Sequence, residues 1–413
     1  MSLRRCGFFV CIAVAGLSTL TLAQAQRPAS DWTQWRGANR DGVIAGAPTT
    51  WPERLTQRWK IDAGLGYATP IVVGNRVYLF SRLGENETMS ALDADSGKVL
   101  WQTGYAAPFT MHSAAARHGA GPKSTPAFAN GRLFSIGMTG VVTAFDAASG
   151  KQVWQKPGSD LVPLYTSHAF SPVIDGNQVI FHLGGHDKGA LTALDINTGN
   201  VRWSWNGDGP GYGSPIVATL GGTRQVVAMT QQKVVGVDAS NGTLLWEIPY
   251  AVQGNTNSLT PVLYGQTVIV AAAGHPVEAY APARQGTTWV APKVWETMDV
   301  ALRMSNAVIV RDMLFSLSTQ NAGQYFALDA KTGKTLWRSE GRQAAQAAIQ
   351  TAGDLVFSLE DDGELVIARV TPTASEPVRR YKLADADTWT QPVVSGNRVF
   401  VKDVSSLALW TLN

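Results

Sequence analysis

Two kinds of apolar run alternate along this chain, and both have the length and punctuation of short β-strands. The first kind comes in pairs. Thr69-Pro-Ile-Val-Val-Gly-Asn-Arg-Val-Tyr-Leu-Phe80 sets two apolar runs on either side of Gly74-Asn75, the pattern of a strand, a tight turn and a returning strand. Comparable pairs open at Pro126, Pro172, Pro215, Pro261 and Pro392. Proline suits the first residue of a strand, where its missing N–H costs no ladder hydrogen bond. Ala307–Ser316 and Ile349–Ser358 keep the apolar pattern without the proline, which brings the strand-pair starts to eight.

The second kind is a hairpin that recurs nearly word for word. Ala91-Leu-Asp-Ala-Asp-Ser-Gly-Lys-Val-Leu-Trp101 returns at Ala144–Trp154, Ala193–Trp203, Gly236–Trp246 and Ala327–Trp337. A motif repeating every roughly 40–50 residues is the mark of a repeat architecture. Asp93, Asp146, Asp195, Asp238 and Asp329 end a strand, where a carboxylate accepts from backbone N–H groups two residues on. Gly97, Gly150, Gly199, Gly242 and Gly333 stand where the loop needs a left-handed residue before the chain re-enters the sheet. Trp101, Trp154, Trp203, Trp246 and Trp337 lie on the return strand. A lone hairpin cannot bury an indole, so the next repeat is its natural partner.

The terminal aromatics also number eight: Trp59, Trp101, Trp154, Trp203, Trp246, Trp295, Trp337 and Tyr381. Trp295 follows a degenerate hairpin, from Ala279 to Lys293, that has lost the Asp and gained an insertion. Tyr381 takes the place of Trp in another degenerate copy. Trp59 has no strand pair before it, and the pair opening at Pro392 continues through Leu407–Trp410 without a fourth strand. If Arg54–Ile61 supplies that strand, every sheet is complete and the array closes, removing the exposed edges of an open one. The expected fold is therefore all-β: an eight-bladed β-propeller of four-stranded antiparallel blades over residues 54–413, its last blade closed by an N-terminal strand. An open solenoid, the alternative, needs caps that the sequence does not show.

With 413 residues the chain is long for one hydrophobic core, but a ring of small sheets escapes that limit. No charge block or low-complexity linker divides it, so one domain is expected, with residues 26–53 packed on it as an N-terminal segment. Residues 1–25 read as a cleavable signal peptide: Arg4-Arg5, an apolar run over Phe8–Leu22 and a small-x-small site at Ala23-Gln24-Ala25. The run is short for a membrane span. A periplasmic or secreted location follows. Cys6 and Cys11 both lie in that leader, so a mature chain has no cysteine for a disulfide or a thiolate metal site. A formal charge of +3 gives no support for nucleic acid as a partner.

The Ala-x-Asp-x-x-Thr/Ser-Gly-x-x-x-Trp unit resembles the tryptophan-docking repeat of the pyrroloquinoline-quinone (PQQ) type propellers. That superfamily includes the quinoprotein alcohol dehydrogenases and the propeller of the outer-membrane β-barrel assembly machinery, which binds no cofactor. The opening Trp32-Thr-Gln-Trp-Arg-Gly-Ala-Asn-Arg-Asp-Gly42 is similar to the start of many secreted bacterial propellers of this class. For an enzyme the resemblance implies calcium on the quinone, an Asp base, an Arg at the reactive carbonyl and an aromatic floor. Calcium wants several hard oxygen ligands, and no evident Glu/Asn/Asp set stands in the face loops.

Residues just before each innermost strand line the funnel of a propeller, which sets Tyr67, His118, Lys123, His168, Tyr212, Asn257, Arg303 and Trp389 around one mouth. They are either a ligand site or satisfied loop ends. In the insertion Met111–Pro126, Gly119 and Gly121 beside Lys123 are either an anion nest or a loop shaped by Gly and Pro. His182 and His186 lie about 13 Å apart on an extended strand, too far for one metal ion. The first functional expectation is a cofactor-free, monomeric binding or scaffold propeller of the cell envelope, taking a protein, polymer or small ligand at one face. The second is a PQQ- and calcium-dependent dehydrogenase of alcohols or sugars, with Arg303 or Lys123 at the quinone carbonyls and Trp389 stacked on the ring.

Overall fold

A computed structural model describes residues 31–158, 161 and 165–412; the expected signal peptide lies outside them. Eight four-stranded antiparallel sheets form the eight-bladed propeller read from the repeats. Blade one consists of Ile71–Val73, Arg76–Leu83, Asn86–Asp93 and Val99–Ala106 from channel to rim, and the others follow in chain order. The last blade takes its rim strand from the other end of the described chain. Thr56–Asp62 pairs with Ser406–Thr411, Trp59 opposite Leu409 and Ile61 opposite Leu407.

Middle strands such as Met313–Ser318 and Leu355–Glu360 are buried along their whole length. Each is covered on both faces by a neighbouring blade, which is why these strands read as near-continuous apolar runs instead of alternating ones. The core is accordingly a ring of interfaces. Phe80, Met89 and Ala91 of blade one meet Leu133 and Phe145 of blade two, and Phe134 and Ile136 of blade two meet Phe181 and Leu194 of blade three.

The repeat motif is the lock at those interfaces. The Trp101 indole lies on Gly150 of the next blade and donates from Nε1 to the Ala147 carbonyl at 3.2 Å. Trp59 does the same on Gly97 and Ala94, Trp154 on Gly199 and Ile196, Trp203 on Gly242 and Ala239, and Trp295 on Gly333 and Ala330. The Asx turns differ slightly from expectation. Asp93 and Asp146 accept from the N–H three residues on, at Ser96 and Ser149, whereas Asp195 and Asp329 accept from both the second and the third. Trp246 has no docking glycine ahead of it, because blade five is the degenerate copy. Its Nε1 donates to Gln225 of its own blade at 2.7 Å, and the insertion forms an extra hairpin, Ala283–Gln285 with Thr288–Val290.

The Trp32–Gly42 box lies across the central channel. Trp32 bridges to Val72 in blade one, the Thr33 carbonyl accepts from Phe128 N in blade two, and Ile44 N donates to Thr351 O in blade seven. Arg40 donates to the Ser171 and Pro172 carbonyls of blade three, at 3.1 and 2.8 Å. Arg36 donates to the Ala307 carbonyl of blade six at 2.6 Å, and its N–H reaches Gln391 of blade eight. Both guanidinium groups are buried, and burial lowers their pKa values to about 10 and about 9, so they stay charged at neutral pH against backbone carbonyls.

Candidate functional site

All eight blades send the loop before their innermost strand to one mouth of the channel, and there the loops enclose a cavity of about 340 Å³. Its floor includes Trp35 of the box, whose Nε1 donates to Thr260 Oγ1 at 2.9 Å. The 3-10 turn Ser113–His118 of the insertion forms one wall.

Six of the eight residues placed at the mouth by sequence line this cavity: Tyr67, His118, Lys123, Tyr212, Arg303 and Trp389. Tyr67 and Trp389 stack with centroids 5.5 Å apart, His118 meets the Trp389 ring edge-on at 4.2 Å, and Arg117 sits 5.4 Å over the same ring. Arg117, Lys123 and Arg303 act on His118, while the Asp387 and Asp403 charges act on Tyr67. Burial first, and then the charges of Arg117, Lys123 and Arg303, together lower the His118 pKa to about 4. Lys123 donates to the carbonyls of Gly119 and Gly121 at 2.9 and 3.0 Å, and burial followed by the nearby Arg82 charge lowers its pKa to about 7. The glycine loop therefore turns carbonyls, not N–H groups, toward the lysine. It is a loop shaped around a cation and not an anion nest.

His168 and Asn257 do not line the cavity. The chain turns at Ser167, which has φ 58, and His168 enters the wall between blades two and three, 3.1 Å from the Gly184 carbonyl and edge-on to Phe170. Asn257 is buried as a clamp: its Nδ2 donates to Thr230 O at 2.6 Å, and its backbone carbonyl accepts from Tyr212 N and Gly213 N. His182 is likewise a wall residue, against the Asp208 carbonyl at 3.1 Å. Among the described residues no three His, Cys, Asp or Glu side chains come together as a metal site.

Burial holds His168 and His182 neutral, with pKa values lowered to about 4. The unfolded chain takes up these protons below about pH 6.5 while the folded one does not, so stability is full above that pH and falls as pH drops toward 4, by on the order of 3 kcal/mol per histidine. Urea midpoints measured from pH 7.5 to 4.5 are expected to show this fall, and the paired change His168→Phe with His182→Leu to flatten it. An unchanged slope in that variant assigns the acid sensitivity elsewhere.

Residues 85–337, 277–375 and 326–413 match the family model of the outer membrane protein assembly factor BamB. The chain belongs to that family. The BamB of Burkholderia pseudomallei is 24% identical over 349 residues, 75% of this chain and 87% of the relative. The crystal structure of BamB from Moraxella catarrhalis aligns with a TM-score of 0.62 at 17% identity, over 87% of this chain and 98% of that one. Quinohemoprotein alcohol dehydrogenase from Comamonas testosteroni aligns with a TM-score of 0.69 at 14% identity, over 94% and 81%. At such identities the two structures establish the propeller alone.

This BamB-family propeller also carries a belt that the sequence reading missed. The residue before the strand-opening proline passes a hydrogen bond to the next blade at four successive junctions: Gln391 N to Thr69 Oγ1, Thr69 N to Thr125 Oγ1, Thr125 N to Ser171 Oγ and Ser171 N to Ser214 Oγ. Thr260 N makes the same kind of link to Asn306 Oδ1 at 2.7 Å. The signal was visible as Thr-Pro and Ser-Pro before five of the strands, where only the proline had an evident reason.

Proposed function

We propose that this chain is a binding protein of the cell envelope that captures its ligand in the channel mouth and does not oxidise it through a quinone. The observation that carries this reading is the chemistry of the lining. It combines cations, aromatic rings, hydroxyls and amides, and among the described residues it includes no carboxylate. Lys123, Arg303 and Trp389, the residues a quinone would use by resemblance, do share the cavity. Among the described residues of the lining, the hard oxygen ligands that calcium requires and the carboxylate that would act as base do not accompany them. The donor set therefore does not fit a calcium-held quinone.

The exposed apolar side chains favour the mouth over the rim as the recognition face. Val99, Leu100, Val153, Val201, Leu244 and Val294 lie on the rim strands of five successive blades, no more than two to a blade. Export by the N-terminal leader and a location in the envelope, as the name of the B. pseudomallei relative suggests, belong to the same proposal. A dye-linked oxidation screen over alcohols and sugars, with PQQ and calcium supplied, tests it. No PQQ-dependent rate above the protein-free blank is expected, and sustained PQQ-dependent turnover overturns the reading.

A further inference from the structure

We propose that the channel mouth recognises a sugar acid, a single sugar ring bearing a carboxylate. The inference rests on the mouth being the ligand site and names what it takes. Several lining oxygens are already engaged as acceptors. Ser214 Oγ accepts from Ser171 N at 2.9 Å, Thr260 Oγ1 from the Trp35 indole at 2.9 Å, and Asn306 Oδ1 from Thr260 N at 2.7 Å. What these side chains have left to offer is donors: two O–H groups and an amide N–H₂. Gln346 adds an amide that makes no hydrogen bond among the described residues. With Arg303 these groups give the mouth a set of donors that a ligand studded with oxygen would meet.

Charge points the same way. The Arg303 guanidinium is exposed at the cavity, without a hydrogen bond or ion pair among the described residues, and Lys123 stands in the same lining. Arg is the side chain best shaped to hold a carboxylate through two parallel hydrogen bonds. The donors come from blades four to seven, along one contiguous half of the opening. A flat aromatic acid presents only its carboxylate to these donors, whereas a sugar acid also offers hydroxyl oxygens on successive ring carbons. Trp389 and Tyr67, stacked on each other, supply aromatic surface beside those donors, from blades eight and one. The volume of about 340 Å³ lies at the small end of ligand pockets, the size for one or two sugar rings.

Isothermal titration of the full chain with glucuronate, galacturonate and mannuronate, against glucose, galactose, mannose and benzoate, tests the assignment. One uronate is expected to bind at one per chain, at least ten-fold tighter than its neutral parent and tighter than benzoate. Arg303→Ala is expected to weaken that uronate ten-fold or more while leaving a neutral sugar unchanged. Because the guanidinium makes no internal bond, the variant is expected to keep the parent urea midpoint. A neutral sugar binding as tightly as its acid, benzoate binding tightest, or no uronate binding at all overturns the sugar-acid inference alone. PQQ-dependent turnover in the oxidation screen overturns the reading beneath it.

Discussion

Replacing Gly150 by alanine is expected to cost about 3 kcal/mol or more, whereas Gly176→Ala costs about 1. Both glycines have positive φ, 74° and 57°, so the strain of a left-handed alanine is common to the two. They differ in what a Cβ meets. At Gly176 nothing lies within 4 Å, while at Gly150 the new carbon would stand 2.6 Å from Cδ2 of Trp101. The indole then has to leave its seat, giving up part of its burial and its hydrogen bond to Ala147. Urea unfolding of the two variants isolates the docking contribution from the backbone contribution. Equal losses at both sites contradict the view that the motif glycine exists to seat the neighbouring tryptophan.

A chain beginning at Ala63 is expected to lose cooperative unfolding and to elute as large oligomers. It lacks the strand Thr56–Asp62, so the edge of Ser406–Thr411 lies open to other chains. It also lacks Trp32, Ile44, Trp51 and Trp59, all buried in the cluster that joins blades seven, eight and one. The single change Trp59→Ala probes the same joint more gently and is expected to cost about 3–5 kcal/mol. Size-exclusion chromatography and urea unfolding read both. A monomeric truncated chain with the parent midpoint contradicts a ring held shut by its N-terminal strand.

What was legible in the sequence was what repeats. Asp93, Gly97 and Trp101 act on one another through a hairpin and the adjoining blade, so their spacing is fixed and recurs in each copy. The closing strand was legible by the same logic, as one strand too many at one end and one too few at the other. Contacts that occur once were not. Nothing in Trp32–Gly42 announces that it crosses the channel, because its partners are mostly backbone carbonyls of blades far away in sequence. The mouth was legible in position but not in orientation. His168 and Asn257 occupy the expected loops, yet a local turn at Ser167 and a carbonyl clamp at Thr230 draw their side chains into the wall. Trp246 shows the converse: its own repeat is intact, and its docking partner is missing because the neighbour has changed.

The most direct test of a binding mouth without quinone chemistry is the dye-linked assay, run on the full chain with PQQ and with calcium or a lanthanide as the metal. The expected result is a rate that does not depend on PQQ with either ion, since the described lining supplies cations and N–H and O–H donors where the metal needs carboxylates. A saturable PQQ- and metal-dependent rate, abolished by Arg303→Ala, contradicts it and makes the mouth an active site.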